Sequence, residues 1–405
     1  MKRIILHISY LCIVAVIGTA VAVGGGFQLN EHGARAMAQG GAFAARAYDA
    51  SAMYFNPAGL GFQTGRSFYL GTTLIMPKSS FFGPVQNNTN EENKMVDQTF
   101  TPINLYGTYQ IDDRIHVGIG VNNPYGLGTE WDENWPGKFI TTKIDLMSFF
   151  ISPTIAYKIN DQLSVGAGFN YVTGTVKINR IVSDPFDPHA KVTLDLSGTG
   201  YGYTAGAIYK ITKEISVGAS YRSSVKLDAK GTANFDPART TYPKGDASAS
   251  IELPATAFVG VAYKPIENLE VEADYQYIGW SSYKELTIEF KADPTKNTTA
   301  PKNFRDTYIL RLGGEYTMGD FQFRAGYLQD RTPVKGPYVD PTLPDANRNG
   351  VNLGVGYKIN EMFSVDVAYM YLKFDQRKVV NTVVNFDGTY NQSANLIGID
   401  LLIHY

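Results

Sequence analysis

Tyr157-Lys-Ile-Asn-Asp-Gln-Leu-Ser-Val-Gly-Ala167 is a phrase that this chain repeats. It returns as Tyr209-Lys-Ile-Thr-Lys-Glu-Ile-Ser-Val-Gly-Ala219 and as Tyr357-Lys-Ile-Asn-Glu-Met-Phe-Ser-Val-Asp-Val367. Looser copies begin at Tyr109, Tyr263 and Tyr316. Each copy is an aromatic, a short polar turn and an alternating run, which is the signature of a β-hairpin. The spacing between copies is irregular, so a solenoid of fixed period does not fit. Six tight turns, each joining a descending to an ascending strand, imply about fourteen strands once the first and last are added. Between them lie longer connections at roughly 78–97, 126–143, 183–190, 231–246, 291–303 and 333–348, rich in Pro, Asn, Asp and Gly.

Alternation within the strands says which face is wet. Leu269-Glu-Val-Glu-Ala-Asp-Tyr-Gln-Tyr277 puts Leu, Val, Ala and Tyr on one side and Glu270, Glu272, Asp274 and Gln276 on the other. A soluble two-sheet sandwich would alternate too. Here, however, the apolar side ends in Tyr at the short turns, which builds an aromatic ring at one depth. The chain closes on Ile397-Gly-Ile-Asp-Leu-Leu-Ile-His-Tyr405, an amphipathic strand with an aromatic last residue, resembling the signal read by the barrel-assembly machinery. The expected fold class is all-β, a transmembrane antiparallel barrel of about fourteen strands in the outer membrane of a Gram-negative bacterium.

Composition agrees. Lys2 and Arg3 precede an apolar run from Ile4 to Ile17, and Ala20-Val-Ala22 supplies a cleavage site, so residues 1–22 read as a secretory signal. The only cysteine, Cys12, lies inside it, so disulfides play no part in the mature chain. A net charge of −2 offers no basic stripe for nucleic acid. Apart from the signal, no apolar run approaches the ~20 residues of a spanning helix, leaving a closed barrel as the way to cross a membrane. Residues 23–64 precede the first strand, expected at Arg66–Met76, and are too apolar for a free tail. They read as short helical turns forming a hatch that plugs the lumen, with 65–405 as the barrel.

The sequence resembles the FadL-type outer-membrane transporters of long-chain fatty acids and other hydrophobic compounds (the OmpP1/FadL/TodX family). The resemblance runs along the mature chain. It is strongest in Gly26-Phe-Gln-Leu-Asn-Glu31, Gly33-Ala-Arg-Ala36, Gly40-Gly-Ala-Phe43 and Asp49-Ala-Ser-Ala-Met-Tyr-Phe-Asn-Pro-Ala-Gly-Leu60. Later matches are Asn123-Pro-Tyr-Gly-Leu-Gly-Thr-Glu-Trp131, Trp135-Pro-Gly-Lys-Phe139, Ile151-Ser-Pro-Thr-Ile-Ala-Tyr-Lys158 and Phe304-Arg-Asp-Thr-Tyr308. It implies passive uptake of a hydrophobic molecule by a monomer. Asn56, Pro57, Ala58 and Gly59 would serve as the hatch signature, and a kinked third strand near Asn122, Asn123 and Pro124 as a side door into outer-membrane lipid. Gly118, Gly120 and Pro124 weaken that strand's ladder, although Asn-Asn-Pro also suits a plain strand end.

Strand parity places Arg305, Arg311 and Glu315 inside. Arg305 falls in the segment resembling the family's basic head-group position, and the resemblance makes it the first candidate for a carboxylate head group, while Arg311 could instead pair with Glu270 or Glu272. Lys138 is a candidate recruiting cation or a solvated loop lysine, and Phe27 and Phe55 are candidate tail contacts or simple anchors of the hatch. Asp345-Ala-Asn-Arg-Asn-Gly350 copies half of a calcium loop but ends on Gly356 instead of Glu. The scattered histidines have no metal spacing, and no G-x-S-x-G elbow is present. Neither an enzyme nor a cofactor is expected. A surface adhesin and an open general porin stand as alternatives; long-chain fatty acids are the expected substrate, although an apolar pocket discriminates weakly by shape and does not separate them from aromatic hydrocarbons.

Overall fold

The computed structural model describes residues 25–85, 91–239, 242–243 and 245–405. The signal segment 1–22 and its cleavage site lie outside the described residues. The tight turns come first, because their chemistry is local. In Ile159-Asn160 the Asn160 Oδ1 accepts from the N–H groups of Gln162 and Leu163 at 2.9 and 2.8 Å. Asn360 does the same for Met362 and Phe363, Asp112 for Arg114 and Ile115, and Thr212 through its hydroxyl for Glu214 and Ile215. The repeated phrase is therefore a side-chain-capped turn, in which a short polar group supplies the acceptor that the reversing backbone lacks. Asn360→Ala removes two such bonds, and we expect about 1 kcal/mol of lost stability at that hairpin, read as faster amide exchange confined to 358–365.

These turns join antiparallel strands in simple succession. They are β1 (Arg66–Phe82), β2 (Glu92–Lys94, then Ile103–Gln110), β3 (Ile115–Asn122, then Gly126–Glu130), β4 (Lys143–Lys158), β5 (Leu163–Ile181), β6 (Lys191–Lys210) and β7 (Ile215–Arg222, then Val225–Asp236). The second half is β8 (Gly245–Leu253, then Thr256–Ile266), β9 (Leu269–Ile278, then Glu285–Phe290), β10 (Thr298–Pro301, then Thr307–Met318), β11 (Phe321–Asp330), β12 (Arg348–Lys358), β13 (Phe363–Phe374, then Arg377–Val379) and β14 (Gly388–His404). β14 closes onto β1 from Ser67↔His404 to Phe82↔Thr389, so the 14 strands form a complete cylinder without a free edge. Several strands outrun their expected limits: β1 continues past Met76, β7 runs into the connection expected at 231–246, and β3 resumes inside the one expected at 126–143.

The faces are inverted relative to a soluble sandwich. Tyr109, Tyr157, Tyr209, Tyr263, Tyr316 and Tyr357 are all exposed on the outer side beside the short turns. A second exposed row, including Tyr201, Tyr221, Tyr277, Tyr327 and Tyr371, stands toward the long loops. Between the rows the outward residues are apolar, among them Ile119, Ile155, Val259, Leu312, Leu353 and Val367. Glu272, Asp274, Arg311, Glu315, Arg324, Asp366 and Asp400 are buried on the opposite face. An exposed apolar band between two aromatic rows with charges inside is the pattern of a wall in contact with lipid.

The buried charges have a partner. Residues 25–62 carry two short helices, Ala34–Ala38 and Ala52–Phe55, and a 3₁₀ turn, Pro57–Phe62, and they lie against the inward face of the strands. Wall glycines make the close approach possible. A Cβ on Gly218 would strike the Ala44 backbone, one on Gly313 or Gly326 the backbone of Gln39, and one on Gly166 the backbone of Pro57 and Ala58. Missing side chains on the wall are thus matched to backbone of the N-terminal segment.

Candidate functional site

Three features meet on the inward side: the anchoring of the N-terminal segment, a fault in β3, and an aromatic box. Asp274 Oδ2 accepts the N–H groups of Phe43 and Ala44 at 2.9 and 3.0 Å, and Glu272 accepts that of Ala45 at 2.6 Å. Arg46 Nε reaches Glu272 at 2.8 Å, and Arg35 makes paired bonds of 3.0 and 2.9 Å to Glu315. Asn56, completely buried, donates through Nδ2 to the carbonyls of Ala44 (2.8 Å), Ala207 (3.0 Å) and Ala219 (3.3 Å). Its Oδ1 accepts from Ala58 N–H at 3.2 Å, capping the turn that starts at Pro57. Ala58 and Gly59 are buried in that turn, with the Ala58 carbonyl accepting from Ser164 Oγ at 2.8 Å. One Asn side chain therefore ties the segment to itself and to two wall strands.

Nearby, Glu31 is fully buried, and burial pushes its carboxyl up to about 7, the Asn30 N–H offsetting part of the rise. His32 stacks on Tyr54 at 3.5 Å and is pushed down to about 3 by burial and by Arg222. For Glu31 the folded value exceeds the ordinary 4.5. Its contribution to packing is complete below about pH 4.5 and is lost as pH rises through 7. Glu31→Gln should therefore gain on wild type by about 3 kcal/mol between pH 4.5 and 8. Amide exchange of residues 28–40 in the two proteins at each pH measures this, and comparing them at equal pH cancels His32.

The β3 strand breaks where Asn-Asn-Pro falls. Its pairing with β4 runs through Asn122↔Phe150 and resumes at Gly126↔Met147, so β3 holds one residue more than its partner, as in a bulge. Its pairing with β2 ends at Asn104↔Asn122. Asn122 Nδ2 donates to the Tyr106 hydroxyl at 3.0 Å. Asn123 bridges the fault: Oδ1 accepts from Ile103 N–H at 2.8 Å, and Nδ2 donates to Ser148 O at 2.7 Å. Beyond it the N-terminal segment takes the vacated edge. Leu29 N–H donates to Pro124 O at 2.8 Å, and Gly126 N–H donates to Phe27 O at 2.9 Å, with Gln28 paired to Tyr125 between them.

That pairing carries Phe27 into an aromatic box. Its ring lies 4.6 Å from Trp280, 5.3 Å from Tyr283 and 6.1 Å from Tyr125 (centroid distances), and Phe304 packs behind Trp280 and Tyr283. The Trp280 Nε1–H is buried with no acceptor among the described residues. Phe55 packs elsewhere, against Phe43, Tyr54 and Phe258, so the two candidate tail residues belong to separate apolar clusters.

The candidate cations disperse as well. Arg305 precedes the pairing that begins at Thr307, so strand parity does not extend to it. It is exposed, with Nε 3.3 Å from Thr332 O. Arg311 is buried as parity requires, but it takes neither Glu270 nor Glu272. It donates to Gly40 O, Asn30 Oδ1 and Gln276 Oε1 at 2.7–2.8 Å, while Arg46 occupies Glu272. Lys138 stays in its loop, Nζ 5.6 Å from the Phe139 ring. Asp345 of the half calcium loop accepts from Gly26 N–H at 3.1 Å and from the Thr332 hydroxyl at 2.6 Å, and no metal-like cluster occurs among the described residues.

Two cations escaped the sequence reading. Arg222 is buried with its guanidinium 4.3 Å from the Tyr54 ring and 6.0 Å from Phe150, donating to Tyr54 O at 2.8 Å. Among the described residues, it and Arg311 are the fully buried arginines with no carboxylate within 4.0 Å. Lys302, mostly buried, pairs with Asp340 at 3.1 Å close to Tyr283. Arg222 ends a regular ladder, so its inward parity was readable while its ring partners on other elements were not; Lys302 lies between strand segments, where parity does not reach.

The family model for "Outer membrane protein transport protein (OMPP1/FadL/TodX)" matches residues 15–405. The chain is 26% identical to the long-chain fatty acid transport protein of Salmonella typhi, over 92% of each chain. It is 25% identical to outer membrane protein P1 of Haemophilus influenzae, over 81% of this chain and 80% of that one. Among solved structures, a Pseudomonas aeruginosa FadL homologue superposes with a TM-score of 0.82 at 21% identity, covering 94% of this chain and all of the other. The Ralstonia pickettii toluene transporter TbuX does so at 0.70 and 21% identity, covering 92% and 98%. With a family match along nearly its whole length and a closed 14-stranded wall banded for lipid, this chain belongs to the OMPP1/FadL/TodX family of outer-membrane transport proteins.

Proposed function

We propose that the protein takes hydrophobic molecules, long-chain fatty acids foremost, passively across the outer membrane through a gated channel that opens sideways. Residues 23–64 are its hatch and residues 65–405 its barrel. The observation that carries the reading is the double engagement of Phe27-Gln28-Leu29, whose ring fills the aromatic box while its backbone completes the faulty edge of β3. One displacement of this segment empties the box and unpairs the wall.

Physics favours such coupling. Burying a methylene gains roughly 0.8 kcal/mol, so a long acyl chain gains on the order of 10 kcal/mol in an apolar slot and would forfeit that on release to water. Exit into the bilayer through the Asn122-Asn123-Pro124 fault avoids the loss. Arg222, with Lys302 near the box, is better placed for a carboxylate than Arg305, because it faces aromatic rings and has no acid partner. Asn56 to Gly59 act as the anchor about which the hatch moves, with Phe55 packing that anchor.

An aromatic hydrocarbon is the second substrate reading, favoured by a box shaped around one phenyl ring. The solved relative TbuX is named a toluene transporter. Mass spectrometry of lipid extracted from detergent-purified protein separates the readings. Fatty acid retained by wild type and lost in Arg222→Gln supports the first. An empty protein that binds a phage or host partner through its loops would replace transport with an adhesin role, and sugar flux at open-pore rates would replace it with a porin.

A further inference from the structure

Outside the barrel, toward the long loops, three lysines gather where the other outward residues turn from apolar to polar. Register puts them side by side. Ser393 of β14 is paired on one side with Lys78 of β1 and on the other with Lys373 of β13, so the three share one outward row. One strand lies between the lysines, setting their backbones about 10 Å apart, and both side chains can reach over Ser393. The next pair along β1, Ser80↔Lys94, adds a third ammonium. The row directly below is Met76, Asn395 and Tyr371, and Tyr371 belongs to the loop-side aromatic row that marks the edge of the bilayer. The lysines therefore stand at head-group depth in the outer leaflet.

They also enclose space. Lys78, Lys94 and Lys373 line a groove of about 600 Å³ together with Ser80, Asn391 and Ser393. All three are exposed. Lys94 is 3.5 Å from Glu92, whereas Lys78 and Lys373 have no carboxylate within 4.0 Å among the described residues; Asp97 also borders the groove. Hydroxyls and an amide between uncompensated ammonium groups are the donors a phosphate monoester takes.

We propose that this groove is a binding site for the phosphorylated head group of an outer-leaflet glycolipid, which fastens the β13–β14–β1 side of the barrel to its membrane. The lysine row points outward, while the groove's floor reaches the inward residues Ser79, Met95 and Gln392; the proposal does not rest on the transport reading. Serine and lysine together outside an aromatic belt read in sequence only as solvated rim residues. Register converts them into a cluster.

The test uses the full-length protein, delipidated and placed in phosphatidylcholine bilayer discs, with binding of a bis-phosphorylated glucosamine-disaccharide lipid followed by native mass spectrometry. Each lysine near the surface is worth about fivefold in affinity. The combined Lys78→Gln, Lys94→Gln, Lys373→Gln protein should therefore bind roughly a hundredfold more weakly. Lys226→Gln with Lys230→Gln, on the distant β7 wall, should bind as wild type. Heat-modified gel mobility verifies closure of each barrel, and Lys373→Gln alone, expected to lose about fivefold, serves if the triple variant does not close. Equal binding by wild type and lysine variants overturns the site. So does equal binding of the dephosphorylated lipid, or full competition by equimolar inorganic phosphate, which would make the groove a free-phosphate site.

Discussion

Asn56→Ala is expected to release the N-terminal segment from the wall while leaving the barrel closed. The substitution strips three carbonyls, those of Ala44, Ala207 and Ala219, of a shared donor and removes the acceptor for Ala58 N–H in a place where water does not reach. Unsatisfied buried groups cost about 1–3 kcal/mol each, and some relaxation brings the total to about 3–5 kcal/mol. Amide exchange over residues 43–60 should accelerate at least a hundredfold, with β9 and β10 unchanged. Ion conductance across planar bilayers should rise and co-purified fatty acid should fall. Unaltered exchange over 43–60 would mean that Asn56 is not the anchor.

Tethering the same segment at its other end should abolish uptake. Gln28 and Tyr125 form a pair flanked by the Leu29–Pro124 and Gly126–Phe27 bonds. Facing residues of that kind have Cα atoms about 4.5 Å apart, within the range a disulfide spans. The only cysteine of the sequence, Cys12, lies in the signal-like segment. Gln28→Cys with Tyr125→Cys should therefore form one cross-link, lowering uptake of labelled fatty acid at least tenfold and recovering with reductant. The reduced double variant is the reference, since it bears the loss of the Tyr125 ring. Equal uptake in both redox states would show that the β3 edge stays paired during transport.

What sequence revealed and what it hid follow from the range of the interactions. The strand count came from six turns, in four of which an Asn, Asp or Thr acts on N–H groups two and three residues ahead, a purely local device. Strand parity succeeded for Arg311 and Glu315 because both lie inside a regular ladder, and it failed for Arg305, which stands just before the ladder begins. Asn-Asn-Pro announced a break in β3. The resumption at Gly126 was missed because its edge is completed by residues nearly a hundred positions earlier in the chain. Gly218, Gly313 and Gly326 lie in strands with nothing in the sequence to single them out, and their purpose appears only with the backbone of Ala44 and Gln39 pressed against them. Arg222 likewise gained meaning from Tyr54, a residue on a separate element.

The amides of Leu29 and Gly126 give the most direct test, because each donates one of the two backbone bonds between the Phe27-Gln28-Leu29 segment and the edge of β3. Their hydrogen exchange should be followed in bilayer-embedded protein with and without saturating oleate. The coupled-gate account predicts that both lose protection together when oleate binds, while amides of β5 and β12 keep theirs. Protection retained at both positions under conditions of measurable uptake would contradict it.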